Sequence, residues 1–342
     1  MPLALILLML INISTAFTQV AKTGYRISNR IHLEGDGGWD YLSMDDATSR
    51  LYISHSTIVQ VLDVNEKKVV GTIPDTKGVH GIALARDLNK GFISNGKDTS
   101  VTIFDLKTLQ VITKIKITGN NPDAILYDPF THKVFTFNGR SSNSTVIDAN
   151  TNKVIGTIEL PGKPEFSVSD GRGKVFVNFE DKSQICLINP TTLKIEKIWP
   201  VAPGEEPSGL AIDTEGHRLF SVCGNKLMIV LNADNGNVIA TLEIGDRVDA
   251  VVYDPGLKRI YSSNGEGTMT VVQEVNKDTY KVLENFPTQK GAKTIALNQK
   301  THRIYLSTAD FDAAPAPTAE NPRPRATVRP NTFTILEVEP IN

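Results

Sequence analysis

Asp40, His80, Asp123, Glu165, Ser208, Asp249 and Lys293 recur at intervals of 40 to 44 residues along a chain of 342. Each stands five positions before a short turn, so the seven occupy one repeated position while differing in chemistry. Carboxylates, an imidazole and an ammonium group held close together have three outcomes: a raised carboxyl pKa, pairing with the lysine, or recruitment of a cation. Asp40, His80, Asp123 and Glu165 fall in four consecutive repeats. Oxygen ligands with one imidazole suit Ca²⁺, Mg²⁺ or Mn²⁺, or Zn²⁺ where fewer carboxylates join the histidine. These four are the candidate metal ligands, and Asp249 and Lys293 extend the candidate ligand-binding set.

The elements that must position them follow from the repeat itself. "NPDAILYDPFTHKVFTFNGRSSNSTVIDANTNKVIGTIELPG" from Asn121 and "RVDAVVYDPGLKRIYSSNGEGTMTVVQEVNKDTYKVLENFP" from Arg247 share one order of runs: small apolar residues, an Asp, a turn, an apolar pair with an aromatic, then two alternating runs. Four strand-length runs per unit and a period in the low forties specify a β-propeller, because helical repeats would carry apolar residues at 3.6-residue spacing. The seventh repeat has only three runs, and an extra one, "YRISNRIHLEG", precedes the first. The expected fold is therefore all-β, a seven-bladed β-propeller of four-stranded blades, with the N-terminal strand closing the seventh blade so that no edge is left unpaired. Residues 25–342 are expected to form this single domain, with a Pro/Arg-rich insertion at 311–331 in blade seven.

The second run of the repeats carries a tetrapeptide: "YISH" at Tyr52, "FISN" at Phe92, "FTFN" at Phe135, "YSSN" at Tyr261 and "YLST" at Tyr305, with degenerate copies in "VFVNFED" and "LFSVCGN". A V-x-V-I-D-x-x-T-x-K-V-I-x-T-I pattern follows it, clearest from Ser144 to Ile158. In both respects the chain resembles the YVTN-repeat β-propeller family over essentially all of its length after the leader. The resemblance implies an exported surface or periplasmic protein and leaves the activity open. WD dipeptides and the paired glycines of kelch repeats do not recur, each occurring once in "GGWD" at Gly37 to Asp40, and the tryptophan-docking motif of quinone propellers is not visible.

In an up-and-down blade, the link from outer strand to next inner strand and the link from second to third strand emerge at one end, here called the top. The seven recurring residues and those after the tetrapeptides share that face, which adds His55 as a candidate. The insertion "FDAAPAPTAENPRPRATVRPN" leaves from the same face. A segment of that length is a lid or a tether, and its prolines extend it. Arg323, Arg325 and Arg329 supply donors for a carboxylate or phosphate, or for the acidic ring. We expect a lid over the mouth. The bottom face holds Asp45, Asp128, Asp170, Asp213 and Asp254 with His132, His217 and His302, and these read as turn residues whose side chains accept local N–H bonds. Asn95, Asn138 and Asn264 read as turn residues too, each preceding a glycine.

Composition supplies the setting. With 40% hydrophobic residues, 22% charged residues and a net charge of -2, the chain is globular and lacks the basic block that nucleic acid or an acidic membrane would require. "LALILLMLINI" followed by "STAFTQ" has the length and small residues of a signal peptide, assigned to residues 1–18. That run is short for a bilayer span, and it places the protein in the periplasm or outside the cell. Cys186 and Cys223 lie in consecutive repeats, where both a disulfide and two buried thiols are open.

No catalytic motif such as G-x-S-x-G or H-E-x-x-H is present. Two functions follow. One is a binding protein whose top face takes a partner protein, a cell-surface polymer or a small ligand. The other is a cation-assisted hydrolase or lyase at the channel mouth, resembling the seven-bladed lactonases, in which Glu165 or His80 moves a proton. A solvated mouth whose polar residues hold only water accounts for the same ring.

Overall fold

One aromatic ring per repeat anchors the second strand: Tyr52, Phe92, Phe135, Phe176, Phe220, Tyr261 and Tyr305 are all fully buried. Withdrawing such a ring from water contributes about 1.5–3 kcal/mol, and the alternation of strand residues sends it to one fixed side of the sheet. The computed structural model describes residues 24–316, 318, 324 and 326–341. Its strands form seven four-stranded antiparallel sheets. The inner strands are Trp39–Asp45, Val79–Ala85, Pro122–Asp128, Pro164–Ser169, Pro207–Asp213, Val248–Asp254 and Thr294–Asn298, one for each of blades one to seven. Apolar clusters sit between blades rather than within them. Tyr52 and Val61 of blade one, for instance, pack with Ile82 and Phe104 of blade two.

Blade seven closes as the repeat count requires. The strand Tyr25–His32 pairs antiparallel with Thr334–Pro340, setting Tyr25 against Pro340 and His32 against Thr334. Tyr25 also reaches blade six, where its hydroxyl lies 3.0 Å from that of Tyr261 and accepts from Arg259 at 2.6 Å.

A second repeated residue has a structural role that the tetrapeptide reading overlooks. Two positions before each buried aromatic stands a base: Arg50, Lys90, Lys133, Lys174, Arg218, Arg259 and Arg303. Arg50 donates to the Leu106 carbonyl at 2.9 Å, Lys90 to that of Ala149 at 2.8 Å and Lys133 to that of Pro190 at 2.9 Å, each in the following blade. Lys174 and Arg218 reach Asp234 and Asp278 in the same way. Arg303 alone turns to its own blade, 3.2 Å from Glu339.

The bottom turns match their expected chemistry. Asp45, Asp128, Asp170, Asp213 and Asp254 accept N–H bonds from the backbone two to four residues on. His132, His217 and His302 sit in the left-handed region at φ 52°, 55° and 58°, and each pairs with an aspartate, Asp87, Asp234 and Asp254 respectively. Asn95, Asn138 and Asn264 depart from expectation. All three are fully buried, and each donates across its hairpin to two side chains of the third strand, as Asn138 does to Asn143 at 2.9 Å and Thr145 at 3.1 Å. They tie strands together rather than shape a solvated turn. Cys186 and Cys223 are buried free thiols.

The blade-seven insertion begins and ends as a short ladder. Phe311 bridges Val328, Asp312 N–H donates to the Thr327 carbonyl, and Arg329 N–H to that of Asp310. The proposed leader at 1–18 lies outside the described residues. Among those described, no helix is long and apolar enough to cross a membrane.

Candidate functional site

Each ring residue occupies the second position of its inner strand, or, for Lys293, the position just before it. For Asp40, Asp123, Ser208 and Lys293 the third residue of a tetrapeptide holds the backbone there. Ser54 accepts the Asp40 N–H at 3.0 Å, Ser94 donates to the Asp123 carbonyl at 2.6 Å and Ser263 to that of Lys293 at 2.6 Å. In the degenerate repeat four, Asn178 does the same for the Ser208 carbonyl at 3.0 Å. Buried hydroxyls thus fix the backbone of the mouth from behind, while the side chains project over the tunnel.

Asp40, Asp123, Glu165, Ser208, Asp249 and Lys293 line one cavity of about 450 Å³. Its floor is Tyr41 stacked on Phe166, with ring centroids 5.3 Å apart and planes at 20°. The residues following the ring positions explain this: Tyr41, Gly81, Ala124, Phe166, Gly209, Ala250 and Thr294. Only blades one and four supply a ring there, and the rest are small. Glycine is required at 81, because a Cβ would meet Ile125 at 2.8 Å and the Asp123 carbonyl at 3.2 Å. The two aromatics, stacked on each other from blades one and four, narrow the tunnel below the ring and leave a cup above them. That signal was readable in the sequence as the one aromatic pair among small residues.

Asp40 and Asp123 of the cup come together with His80 beside it, each offering a ligand atom within 4.8 Å of the others. His80 Nδ1 is 2.6 Å from Asp40 Oδ2 and 3.6 Å from Asp123 Oδ1. Glu165 is held apart from this trio by Lys163, 2.7 Å away, which also pairs with Glu180. Neither Lys163 nor Glu180 was expected from the repeat, since both lie off the recurring position; Lys163 comes from the loop entering blade four and Glu180 from the turn between that blade's second and third strands. Asp249 pairs with Lys293 at 3.0 Å. His55 is elsewhere: 1% exposed, it sits at the end of the blade-one second strand with Nδ1 3.0 Å from Gln60 and its ring 4.3 Å from Phe333. Arg323 and Arg325 lie outside the described residues. Arg329 pairs with Asp312 at 2.8 Å, within the insertion, and no described residue of the insertion lines the cup.

Five carboxylates, those of Asp40, Asp123, Glu165, Glu180 and Asp249, thus face two lysines and one imidazole. Burial, reinforced by the charges of Asp40 and Asp249, pushes Asp123 up to about 6 against the pull of His80. Glu165 is pushed up to about 7 by burial and by Asp123 and Glu180, despite Lys163. Burial opposes the charging of His80, but its hydrogen bond to Asp40 and the charge of Asp123 outweigh that and raise its pKa. The cup therefore holds a surplus of negative charge in a partly dry enclosure, together with groups that exchange protons near neutrality.

No protein-family model matches the chain, and no curated protein matches it. Solved structures do match in fold. A chain of a mitotic checkpoint complex aligns with TM-score 0.73 at 13% identity, over 89% of this chain and 95% of that one. U3-55K aligns with TM-score 0.76 at 9% identity, over 93% and 100%. The Kuenenia stuttgartiensis hydrazine synthase aligns with TM-score 0.68 at 18% identity, over 80% and 94%. At these identities the likeness is one of fold: this chain is a seven-bladed propeller of the shape also found in WD40 repeats.

Proposed function

We propose that this protein is an exported YVTN-type propeller that works by binding, and that its top cup is the ligand site. The observation that carries the reading is the convergence of Asp40, His80 and Asp123 within 4.8 Å at an acid-rich cup. A divalent cation on those three ligands offsets the surplus carboxylate charge and keeps positions open for oxygen atoms of a small ligand or of a partner's side chain. Association with other macromolecules at the surrounding loops is in keeping with a propeller fold, one of whose structural neighbours belongs to a mitotic checkpoint complex.

The hydrolase or lyase reading draws on a different observation, the near-neutral titration of Glu165 in the same cup, apart from the cation ligands. A cation held by Asp40, His80 and Asp123 would supply Lewis-acid polarisation of a carbonyl, and Glu165 would give or take the proton. Calorimetric scans of chelator-treated protein with Ca²⁺, Mg²⁺, Mn²⁺ and Zn²⁺ test the shared premise. At least one ion should raise the transition with concentration, and Asp123→Ala should abolish the gain. A transition that no ion moves sinks both readings.

A further inference from the structure

A second cavity of about 640 Å³ adjoins the cup at the Tyr41–Phe166 stack, walled by inner strands of blades one to four. Leu42, Met44, Leu84 and Leu126 line it, with the two rings as its roof. It shares Tyr41, Leu42 and Phe166 with the cup and extends to Arg86, Asp87 and Pro129 in the bottom turns. Its volume is that of a pocket for a small organic molecule, and its wall is apolar with a few polar groups at one end, the usual distribution in such sites.

Those polar groups are at the lip. Tyr127 Oη donates to Asp87 Oδ2 at 2.7 Å, and His132 Nδ1 lies 2.8 Å from Tyr127 Oη and 3.0 Å from Asp87. Arg86, the cation in the lining, is already engaged by Asp45 at 2.9 Å and by the Met44 carbonyl at 3.0 Å. Asp46 stands close enough to feel both Arg86 and Asp45. An anionic ligand would meet a guanidinium already neutralised and two further carboxylates. An ammonium group would meet Asp87, whose side chain is 43% exposed and keeps acceptor capacity beyond its two bonds.

We propose that this lower chamber is a second binding site, for a small apolar molecule bearing one amine. The apolar body lies against the leucines and beneath the Tyr41–Phe166 roof, and the ammonium group rests on Asp87 at the bottom lip. The site shares Tyr41, Leu42 and Phe166 with the cup but none of its carboxylates.

Isothermal titration of the full mature protein at pH 7.5 with three probes tests this: 2-naphthylmethylamine, the uncharged 2-naphthylmethanol and the anionic 2-naphthoate. One equivalent of the amine should bind saturably, the alcohol roughly tenfold more weakly, as expected for loss of one charge-assisted contact, and the carboxylate most weakly. Asp87→Asn should bring the amine to the level of the alcohol, whereas Asp123→Ala in the cup should leave it unchanged. Filling the chamber with Leu126→Trp, or with Ser43→Phe should the first variant misfold, should abolish binding. Absent saturation, equal binding of amine and alcohol, preference for the carboxylate, or binding that survives the filled variants would each overturn the assignment.

Discussion

The Ser94 hydroxyl of blade two donates to the Asp123 carbonyl of blade three at 2.6 Å while accepting the Gly81 N–H of its own blade at 2.8 Å. One buried side chain therefore fixes two neighbouring inner strands and, through Asp123, one wall of the candidate cation site.

Removing that hydroxyl in Ser94→Ala leaves a donor and an acceptor unmatched in a water-poor place. The expected cost is roughly 1–3 kcal/mol, seen as a fall of several degrees in the calorimetric midpoint. The loosened Asp123 backbone should also halve, or more, the stabilisation that Mn²⁺ confers. A variant with the parent's midpoint and the parent's Mn²⁺ response would show that the hydroxyl positions nothing.

The fold was legible because period and strand count are written in every repeat; even degenerate copies keep the buried aromatic, as Phe176 and Phe220 do. The site was legible in part. Asp40, His80 and Asp123 occupy a recurring position, so the repeat places them together. Lys163 and Glu180 escape this logic because a loop residue has no register to betray it, yet they decide that Glu165 stands apart from the trio. His55 misled for the opposite reason. Its position in the tetrapeptide points to the top face, but this strand end is covered by the Phe333 ring that follows the insertion.

Deletion of Tyr25–Gly35 should destabilise the whole ring. The segment supplies the outer strand of blade seven and, through Tyr25, contacts to Tyr261 and Arg259 in blade six. Without it the strand Thr334–Pro340 becomes an open edge. Size-exclusion chromatography should show association, and the melting midpoint should drop. A monomer that melts at the parent's temperature would mean that closure is not what holds the ring.

His55 gives a pH dependence of defined sign. Burial lowers its pKa, with the Gln60 bond only partly opposing, so the folded state favours the neutral ring and the unfolded state takes the proton first, near 6.5. Stability from this group is thus complete above about pH 6.5 and lost as pH falls through that value toward the folded pKa. The gap in melting midpoint between parent and His55→Gln should narrow from pH 7.5 to pH 5. Parallel curves across that range would rule the coupling out.

Asp123 carries the opposite sign, and with it a test that joins stability to binding. An ordinary aspartate titrates near 3.8, and burial with like charge pushes this one up to about 6. The fold therefore prefers the protonated acid. Its penalty is absent below about pH 4, grows as pH rises through that interval, and is complete above pH 6. Asp123→Asn should match the parent at pH 4 and exceed it at pH 8 by roughly 1–3 kcal/mol, a figure reduced by solvent reaching the cup. A bound cation reverses the order, because it neutralises the carboxylate that the empty fold tolerates poorly. Titrating Mn²⁺ at pH 8 should raise the parent's midpoint past that of the variant, whose own midpoint stays nearly fixed. A variant already less stable than the parent without ion would refute the burial penalty, and curves that never cross would refute cation binding at Asp123.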